Sequence, residues 1–577
     1  MSYNFYTTKK RLFALIMAIA FIFFVIFCRL FYIQIVWGKK LQAKATDQWT
    51  RHLPLTALRG NIVDANGVVL ATSETSFSVY LRAKDIDDQV GVATLLSETL
   101  DINYETVFSK AANRSVSEVT IKRQVDAESV NEIREANLKG VYFAEDSTRV
   151  YPYGNYLSQV LGFVSIDNMG QSGIEAYYDK YLKGINGQIL TQADLIGREL
   201  PDESILYLPS VKGLNVQLTI DYNIQRVLEN TLSIIMQRHN SKSARSIVID
   251  CKTGEIVALA SRPSADLNNL PRDDITELME GTKNLLVTDV YEPGSTFKVL
   301  TAAADLEEYF KGNKKALGPT HIFNNSSTRT VDGGKKIKCW TTHSGVRHHN
   351  QTLSDALNNS CNPCFTDIAL SLGKNKVYDY LDAFGYGKVS GVDIMGEQAG
   401  ILVDRSLVTN GDLARIGFGQ TIAVTPIQLA YATCAAVNGG KLLTPYIVKS
   451  VTDGEGNIVK NFYPTVKDRV ISEKTSSILS EMLEGVVSKG SGKLAYIEGY
   501  KVGGKTGTAQ KYQNGIIAQG KYVSSFVGYF PSNNPQYLCL MIVDEPQGIS
   551  YGSQVAAPYV KLVFEQIIAY KNIPKVS

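Results

Sequence analysis

The stretch Glu292-Pro293-Gly294-Ser295-Thr296-Phe297-Lys298 runs directly into Val299-Leu300-Thr301-Ala302-Ala303-Ala304-Asp305-Leu306. Proline followed by glycine breaks the chain, and the Ala- and Leu-rich run behind it is good helix material, so the pattern predicts a helix that starts at Ser295. Ser295 and Lys298 then stand at i and i+3 on one helix face, within reach of each other. A serine at a helix start ordinarily caps free N–H groups. The lysine beside this one adds chemistry, because a neutral amine can take the hydroxyl proton and activate a weak nucleophile. A second Ser-x-x-Lys, Ser371-Leu372-Gly373-Lys374, has its glycine where a helix would end.

Toward the C-terminus, Ser360-Cys361-Asn362 follows the helical stretch Leu353 to Leu357 and offers a second hydroxyl and an amide. Val502-Gly503-Gly504-Lys505-Thr506-Gly507-Thr508 sets a cation among glycines, which let another backbone lie close against a strand. Lys252-Thr253-Gly254 repeats that triplet, but between Ser246 to Asp250 and Glu255 to Leu259 it reads as a hairpin turn. Gly499 to Thr506 also fits the spacing of a phosphate loop. Such a loop must open a helix, and the residues from Gly507 to Gly515 are poor helix formers, so nucleotide binding is set aside.

Around these segments, Asn215 to Ile220 reads as a strand and Ile224 to Met236 as a helix. Val523 to Phe530 and Tyr537 to Val543 read as strands about a Pro531 to Asn534 turn, with a closing helix from Ala556 to Ala569. Strands at both ends with helical patterns between them predict an α+β unit, one antiparallel sheet flanked by helices.

Every residue from Leu12 to Cys28 is apolar, and the character continues past Arg29 to Trp37. At 1.5 Å per residue the stretch to Ile33 covers roughly 30 Å, the thickness of a hydrocarbon core. Lys9, Lys10 and Arg11 in front of it predict a single-pass anchor in the cytoplasmic membrane with its N-terminus inside and the rest of the chain outside. Ala18-Ile19-Ala20 lies within the apolar run, so a cleaved signal peptide is disfavoured. Residues 38–212 mix short strands with turns and cluster no catalytic residue types. Pro201 to Gly213 reads as a connector. The expected division is therefore 1–37 tail and anchor, 38–212 a first exported piece, and 213–577 a second piece that carries the serine and lysine motifs.

The 577 residues are 44% hydrophobic and 20% charged, with a net charge of +3, which excludes a disordered chain and disfavours nucleic acid as a partner. Seven cysteines form no disulfide framework. Cys339, Cys361 and Cys364 fall within a short span that also holds His343, His348 and His349. Three readings stand open. Cys339, His348, Cys361 and Cys364, with His343 or His349 as alternative ligands, can hold a structural zinc that braces Ser360 and Asn362. Cys339 and Cys361 can form a redox disulfide. All three can be free thiols in a groove wall.

Ser-x-x-Lys, Ser-x-Asn and Lys-Thr-Gly, in that order, are the signature set of penicillin-binding proteins and serine β-lactamases. The surrounding blocks resemble class B penicillin-binding proteins, the monofunctional peptidoglycan D,D-transpeptidases, and most resemble their division or sporulation type. These blocks are Tyr291 to Lys298, Ile416 to Gln420 with Val424 to Leu429, Arg59 to Gly67, Arg149 to Pro152 and Gly173 to Glu175. A glycine is usual in that family where His349 stands. The resemblance implies that Ser295 attacks a D-Ala-D-Ala amide of a stem peptide, with neutral Lys298 as base. Ser360 relays the proton to the leaving amine, and Asn362 holds Lys298 and the substrate amide. Lys505 and Thr506 bind the terminal carboxylate, Gly507 and Thr508 continue the substrate-binding strand, and the N–H groups of Ser295 and Thr508 form the oxyanion hole. It also implies inhibition by β-lactams and chemistry that needs no cofactor. By the same resemblance residues 38–212 would be the family's pedestal, docking a membrane glycan polymerase of the SEDS family and other wall-synthesis proteins, and 213–577 the catalytic unit. The alternatives are a carboxypeptidase or β-lactamase on the same fold, and a non-catalytic scaffold.

Overall fold

The computed structural model describes the chain except residues 1–4, 42–43, 45–49, 117, 194–198, 325, 333, 344–347, 349, 514–515 and 577. The first helix, α1 (Phe5–Phe31), continues into a short π-helical turn, Tyr32–Val36. Its apolar side chains are exposed along its length. An unburied apolar surface of this length fits a single-pass membrane anchor, where lipid supplies the missing contacts.

Beyond the anchor, Thr50–Leu55, Gly187–Ala193 and Glu199–Leu208 form an antiparallel sheet in that order. Part of the expected connector is thus an edge strand. Pro201 interrupts the strand pattern in the sequence, but a residue without an N–H is tolerated where one side of the strand has no partner. Next, β1 (Val69–Leu81) pairs on its two sides with β2 (Val119–Val125) and β3 (Val141–Val150). Val79, Leu81, Val92, Leu96, Val107 and Val130 close a small core over this sheet.

The pedestal is locked by a buried ion network. Arg59 donates to Glu175 Oε2 (3.0 Å), Asp179 Oδ1 (2.7 Å) and the Asn168 carbonyl (2.6 Å). Arg149 donates to Glu175 Oε1 (2.7 Å) and the Gly60 carbonyl (2.8 Å). Arg59 and Glu175 are fully buried. Gly60 is obligatory, since a Cβ there would lie 1.8 Å from the Leu214 carbonyl oxygen. Removing one partner of a buried ion pair strands the other charge. Arg59→Ala should therefore cost about 3–5 kcal/mol, read as a lower urea midpoint of the purified chain in detergent.

The two units share a sheet. Ile62–Val63 pairs parallel with β4 (Asn215–Leu218), which pairs antiparallel with Val448–Thr452. After β4 comes α2 (Tyr222–His239), capped by the Asp221 carboxylate. The central sheet contains β5 (Ser243–Asp250), β6 (Ile256–Arg262), β7 (Gly503–Gln513), β8 (Ile516–Phe530) and β9 (Tyr537–Asp544), in the antiparallel order β6-β5-β9-β8-β7. β6 and β9 read as near-continuous apolar runs because both their faces are covered. Ile247, Ile249, Leu538 and Leu540 pack on the side of the helical insertion. Val248, Cys539 and Met541 pack on the opposite side with Leu228 of α2 and Phe564 of the terminal helix, Ala557–Lys571. The insertion between β6 and β7 carries the expected helices, and β7 lies at the edge of the sheet.

Candidate active site

The helix predicted to start at Ser295 starts at Lys298 instead, as α3 (Lys298–Phe310), behind a 3₁₀ turn over Gly294–Phe297. Tertiary contacts tighten this turn. The Thr296 hydroxyl donates to the Pro293 carbonyl (2.7 Å), and the Gly294 N–H donates to the Gly419 carbonyl (2.9 Å). In 3₁₀ geometry i and i+3 eclipse, so Ser295 and Lys298 still share one column. Gly294 has φ +57, and a Cβ on Gly419 would sit 2.1 Å from the Gly294 oxygen. Tyr291 bridges to Val424, and the Glu292 carboxylate accepts the Thr421 N–H (2.9 Å). The segment from Gly419 to Val424 thus holds the serine turn from one side. β7 holds it from the other, with Gly507 so close that a Cβ would lie 3.0 Å from the Thr296 methyl.

Ser360 sits between α4 (Leu353–Asn358) and α5 (Asn362–Leu372), in the left-handed region at φ +53. A capping box of Thr352 and Asp355 starts α4, and Pro363 starts α5. This turn aims the Ser360 hydroxyl at two lysines. Lys298 Nζ donates to the Ser360 carbonyl (2.7 Å), Asn362 Oδ1 (2.7 Å) and Ser360 Oγ (3.2 Å). Lys505 Nζ donates to Ser360 Oγ (2.9 Å) and the Thr506 carbonyl (3.1 Å). Both lysines are fully buried.

Burial disfavours the ammonium form, so the amine of Lys298 is pulled down to about 8. Lys505 is pushed well below the ordinary lysine range, first by burial and then by Lys298. Ser295 is half-buried, and its hydroxyl makes no side-chain hydrogen bond among the described residues. Thr506 Oγ1 is paired with Ser491 Oγ (3.1 Å), and the Gly552 N–H donates to Thr508 Oγ1 (3.1 Å). Because β7 is an edge strand, its outer row of backbone groups has no strand partner. The arrangement can accept a proton from Ser295, pass protons through Ser360, and pair an extended ligand along β7. Ser491 was not singled out from sequence, since no spacing in Lys489-Gly490-Ser491-Gly492 ties it to Thr506.

A second cluster abuts this turn. The donor atoms of Cys339, His343, His348 and Cys361 lie within 4.8 Å of one another. The sulfurs of Cys339 and Cys361 are 3.9 Å apart. Cys339 Sγ is 3.6 Å from His348 Nδ1, Cys361 Sγ is 3.5 Å from His343 Nε2, and the two imidazole nitrogens are 3.1 Å apart. Tetrahedral zinc, with Zn–S about 2.3 Å and Zn–N about 2.05 Å, requires separations of about 3.8, 3.5 and 3.3 Å for S···S, S···N and N···N. Cys364, expected as a ligand, lies outside this group, and its sulfur accepts from Gln351 Nε2 (3.6 Å). His349 lies outside the described residues. In this structure the cysteines are free thiols. The segment carrying Cys339 is tied to the Ser360 turn, since Trp340 Nε1 donates to the Asn359 carbonyl (2.9 Å) and Asn362 Nδ2 to the Lys338 carbonyl (3.3 Å).

Comparison with known proteins matches residues 246–569 to the penicillin-binding protein transpeptidase domain and residues 54–218 to the penicillin-binding protein dimerisation domain. Stage V sporulation protein D of Bacillus subtilis is 39% identical over 96% of this chain and 84% of its own length. Peptidoglycan D,D-transpeptidase FtsI of Escherichia coli is 26% identical over 94% of this chain and 89% of its own. The crystal structure of a peptidoglycan synthetase from Bifidobacterium adolescentis superposes with a TM-score of 0.72 at 25% identity, covering 92% of this chain and 98% of that one. The fold is also shared with penicillin-binding protein 2X of Streptococcus thermophilus, with a TM-score of 0.74 at 23% identity over 90% of this chain and 80% of that one. A dimerisation domain followed by a transpeptidase domain, behind an apolar N-terminal helix, places the chain in the penicillin-binding protein family, among its class B members.

Proposed function

We propose that the protein is a membrane-anchored peptidoglycan D,D-transpeptidase that cross-links stem peptides through an acyl-Ser295 intermediate and is inhibited by β-lactams. The observation that carries this reading is the Ser360 hydroxyl shared by two fully buried lysines beside an open serine hydroxyl. In the first half-reaction Lys298 Nζ takes the Ser295 proton while Oγ attacks the carbonyl of the penultimate D-Ala. The C–N bond breaks, and the leaving amine of the terminal D-Ala receives its proton through Ser360. In the second half, an amine on a neighbouring stem peptide attacks the ester and gives a proton to Lys298, which passes it to Ser295 Oγ as the C–O bond breaks, so that the serine hydroxyl and the neutral amine are both restored. Asn362 fixes Lys298, and Lys505 with Thr506 receives the substrate carboxylate. Gly507 lets its backbone approach, and the N–H groups of Ser295 and Thr508 hold the oxyanion. Removing one such donor costs about 3 kcal/mol in serine proteases.

On this reading residues 1–37 are tail and anchor, with Lys9, Lys10 and Arg11 on the cytoplasmic side. Residues 38–212 are the pedestal, which docks a SEDS-family polymerase and other wall-synthesis proteins, and 213–577 are catalytic. The resemblance to a sporulation protein favours a role in septal or spore wall synthesis. Given polymerised, uncross-linked peptidoglycan, the full chain in detergent should release one D-Ala for each cross-linked dimer. D-Ala without dimers would mean a carboxypeptidase, hydrolysed penicillin a β-lactamase, and neither product a scaffold.

The Cys339–His343–His348–Cys361 cluster supports a structural zinc that braces Ser360 and Asn362 without entering the chemistry. Four of the six donor separations lie within about 0.2 Å of the edges of a tetrahedral zinc site, and the other two lie within 4.8 Å. The purified chain should carry one zinc, and both a chelator and Cys339→Ser should lower its Tm and slow acylation of Ser295. A zinc-free chain whose melting ignores chelator would refute the site. A Cys339–Cys361 disulfide in a non-reducing peptide map would replace it.

A further inference from the structure

A groove of about 570 Å³ opens between the pedestal and the catalytic unit, a volume typical of ligand pockets. Tyr177, Tyr178 and Tyr181 line it from the pedestal, and Tyr446, Phe462 and Tyr463 from the catalytic side. The rings brace one another. Tyr178 lies 5.3 Å from Tyr177, 6.2 Å from Tyr181, and 5.9 Å edge-on from Phe462. Yet Tyr177 is 48% and Tyr463 71% exposed, large flat surfaces left to solvent. Among the described residues no leucine, isoleucine, valine or methionine lines the groove. Such a wall is a poor seat for an acyl chain or an apolar helix. It suits a ligand with apolar faces and a hydroxylated rim, the complement of a tyrosine ring.

Charge narrows the ligand further. Lys180 and Lys460 stand on the rim, each with its Nζ 4.8 Å from a ring centroid, that of Tyr181 and Phe462 respectively. The lining carboxylate, Asp393, is fully engaged, accepting from the Ile447 N–H (2.6 Å), the Val448 N–H (2.9 Å) and the Tyr178 hydroxyl (2.8 Å). The groove therefore offers positive charge and stacking faces together.

We propose that this groove binds the glycan strand of peptidoglycan, a chain of N-acetylated pyranoses whose lactyl groups carry either a stem peptide or a free carboxylate, apart from the cleft that handles its peptides. The proposal rests on the transpeptidase reading for its substrate class. Pyranose faces lie on Tyr177 and Tyr463, and the lysines meet the lactyl carboxylates of those sugar units that carry no stem peptide. Holding the polymer at a second site raises the effective concentration of its stem peptides at Ser295, an advantage that a small peptide substrate would not feel.

Glycan strands stripped of stem peptides by an amidase, whose hydrolysis of the lactyl–peptide amide frees a carboxylate on each stripped unit, are titrated into the full chain in detergent. The double variants Tyr177→Ala/Tyr463→Ala and Lys180→Ala/Lys460→Ala should each bind at least ten-fold more weakly. The tyrosine pair should also cross-link polymeric substrate more slowly, while in both variants penicillin still acylates Ser295 at the wild-type rate, which also verifies that they fold. Uncharged chitooligosaccharides should respond to the tyrosine pair and ignore the lysine pair. In the wild-type chain, strands should slow amide exchange at residues 177–181 and 460–465. Wild-type affinity in both variants, absence of that protection, or anionic vesicles that bind through the same residues in place of strands would each overturn the proposal. A chain that binds strands but never acylates Ser295 would instead overturn the transpeptidase reading.

Discussion

Ser295→Ala should abolish covalent labelling by penicillin and slow cross-linking by about 10⁴-fold or more, the scale on which other acyl-transfer enzymes lose rate with their nucleophile. The loss is large because no neighbouring group can substitute. The Ser360 hydroxyl is bound between Lys298 and Lys505 and is buried, and the Thr506 hydroxyl is paired with Ser491. The substitution removes one half-buried oxygen from a turn held by backbone bonds and by the Thr296 hydroxyl, so the melting temperature should barely move. Intact-mass analysis with a penicillin is the measurement. A one-acyl adduct on the wild-type chain and none on the variant is the expected result, and an adduct of equal yield on the variant would remove Ser295 from the mechanism.

Lys298→Met should slow acylation by about 10²–10⁴-fold, the usual contribution of a general base, while keeping the volume of the buried stem. It also strands the Asn362 amide oxygen, which accepts from Lys298 at 2.7 Å. The pH profile separates the two effects. Only the neutral amine can take the Ser295 proton, so acylation should rise ten-fold per pH unit below about 8, where burial has brought Lys298, and level off above it. In the variant that ascending limb should vanish. A wild-type rate that stays flat from pH 6 to 9 would exclude Lys298 as the base.

What could be read from the sequence was local. The Ser295, Ser360 and Lys505 segments each combine a chain break or turn with a neighbouring helix or strand, and such signals need no knowledge of distant contacts. The three-residue offset in the start of α3 was not legible, because the Gly294–Gly419 bond that tightens the turn joins residues 125 positions apart. The ion network was invisible for the same reason. Arg59 and Arg149 reach Glu175 across 116 and 26 positions, a pairing that neither periodicity nor spacing encodes. The strand Glu199–Leu208 was hidden by Pro201, which argues against a strand until its edge position is known. Spacing brought the cysteines and histidines together as a set. It did not set His343 beside Cys339 and Cys361 with Cys364 apart, because that choice depends on how the segment holding Lys338 and Trp340 docks against the turn between α4 and α5.

The sheet shared by pedestal and catalytic unit bears on how the protein is made. In the proposed orientation the N-terminus stays inside and the residues next to the anchor cross first, so Ile62–Val63 arrives long before β4, and β4 long before Val448–Thr452, which must pair in that order across the sheet. At synthesis rates of about 5–20 residues per second, the seam stays open for roughly 20–80 s. During that interval an unpaired strand edge stands in the crowded space beyond the membrane, open to pairing with another copy of itself. Neither unit can finish alone, so assembly is timed by the arrival of the last strand, and slowed export should raise the yield of aggregated chain more than any single surface substitution.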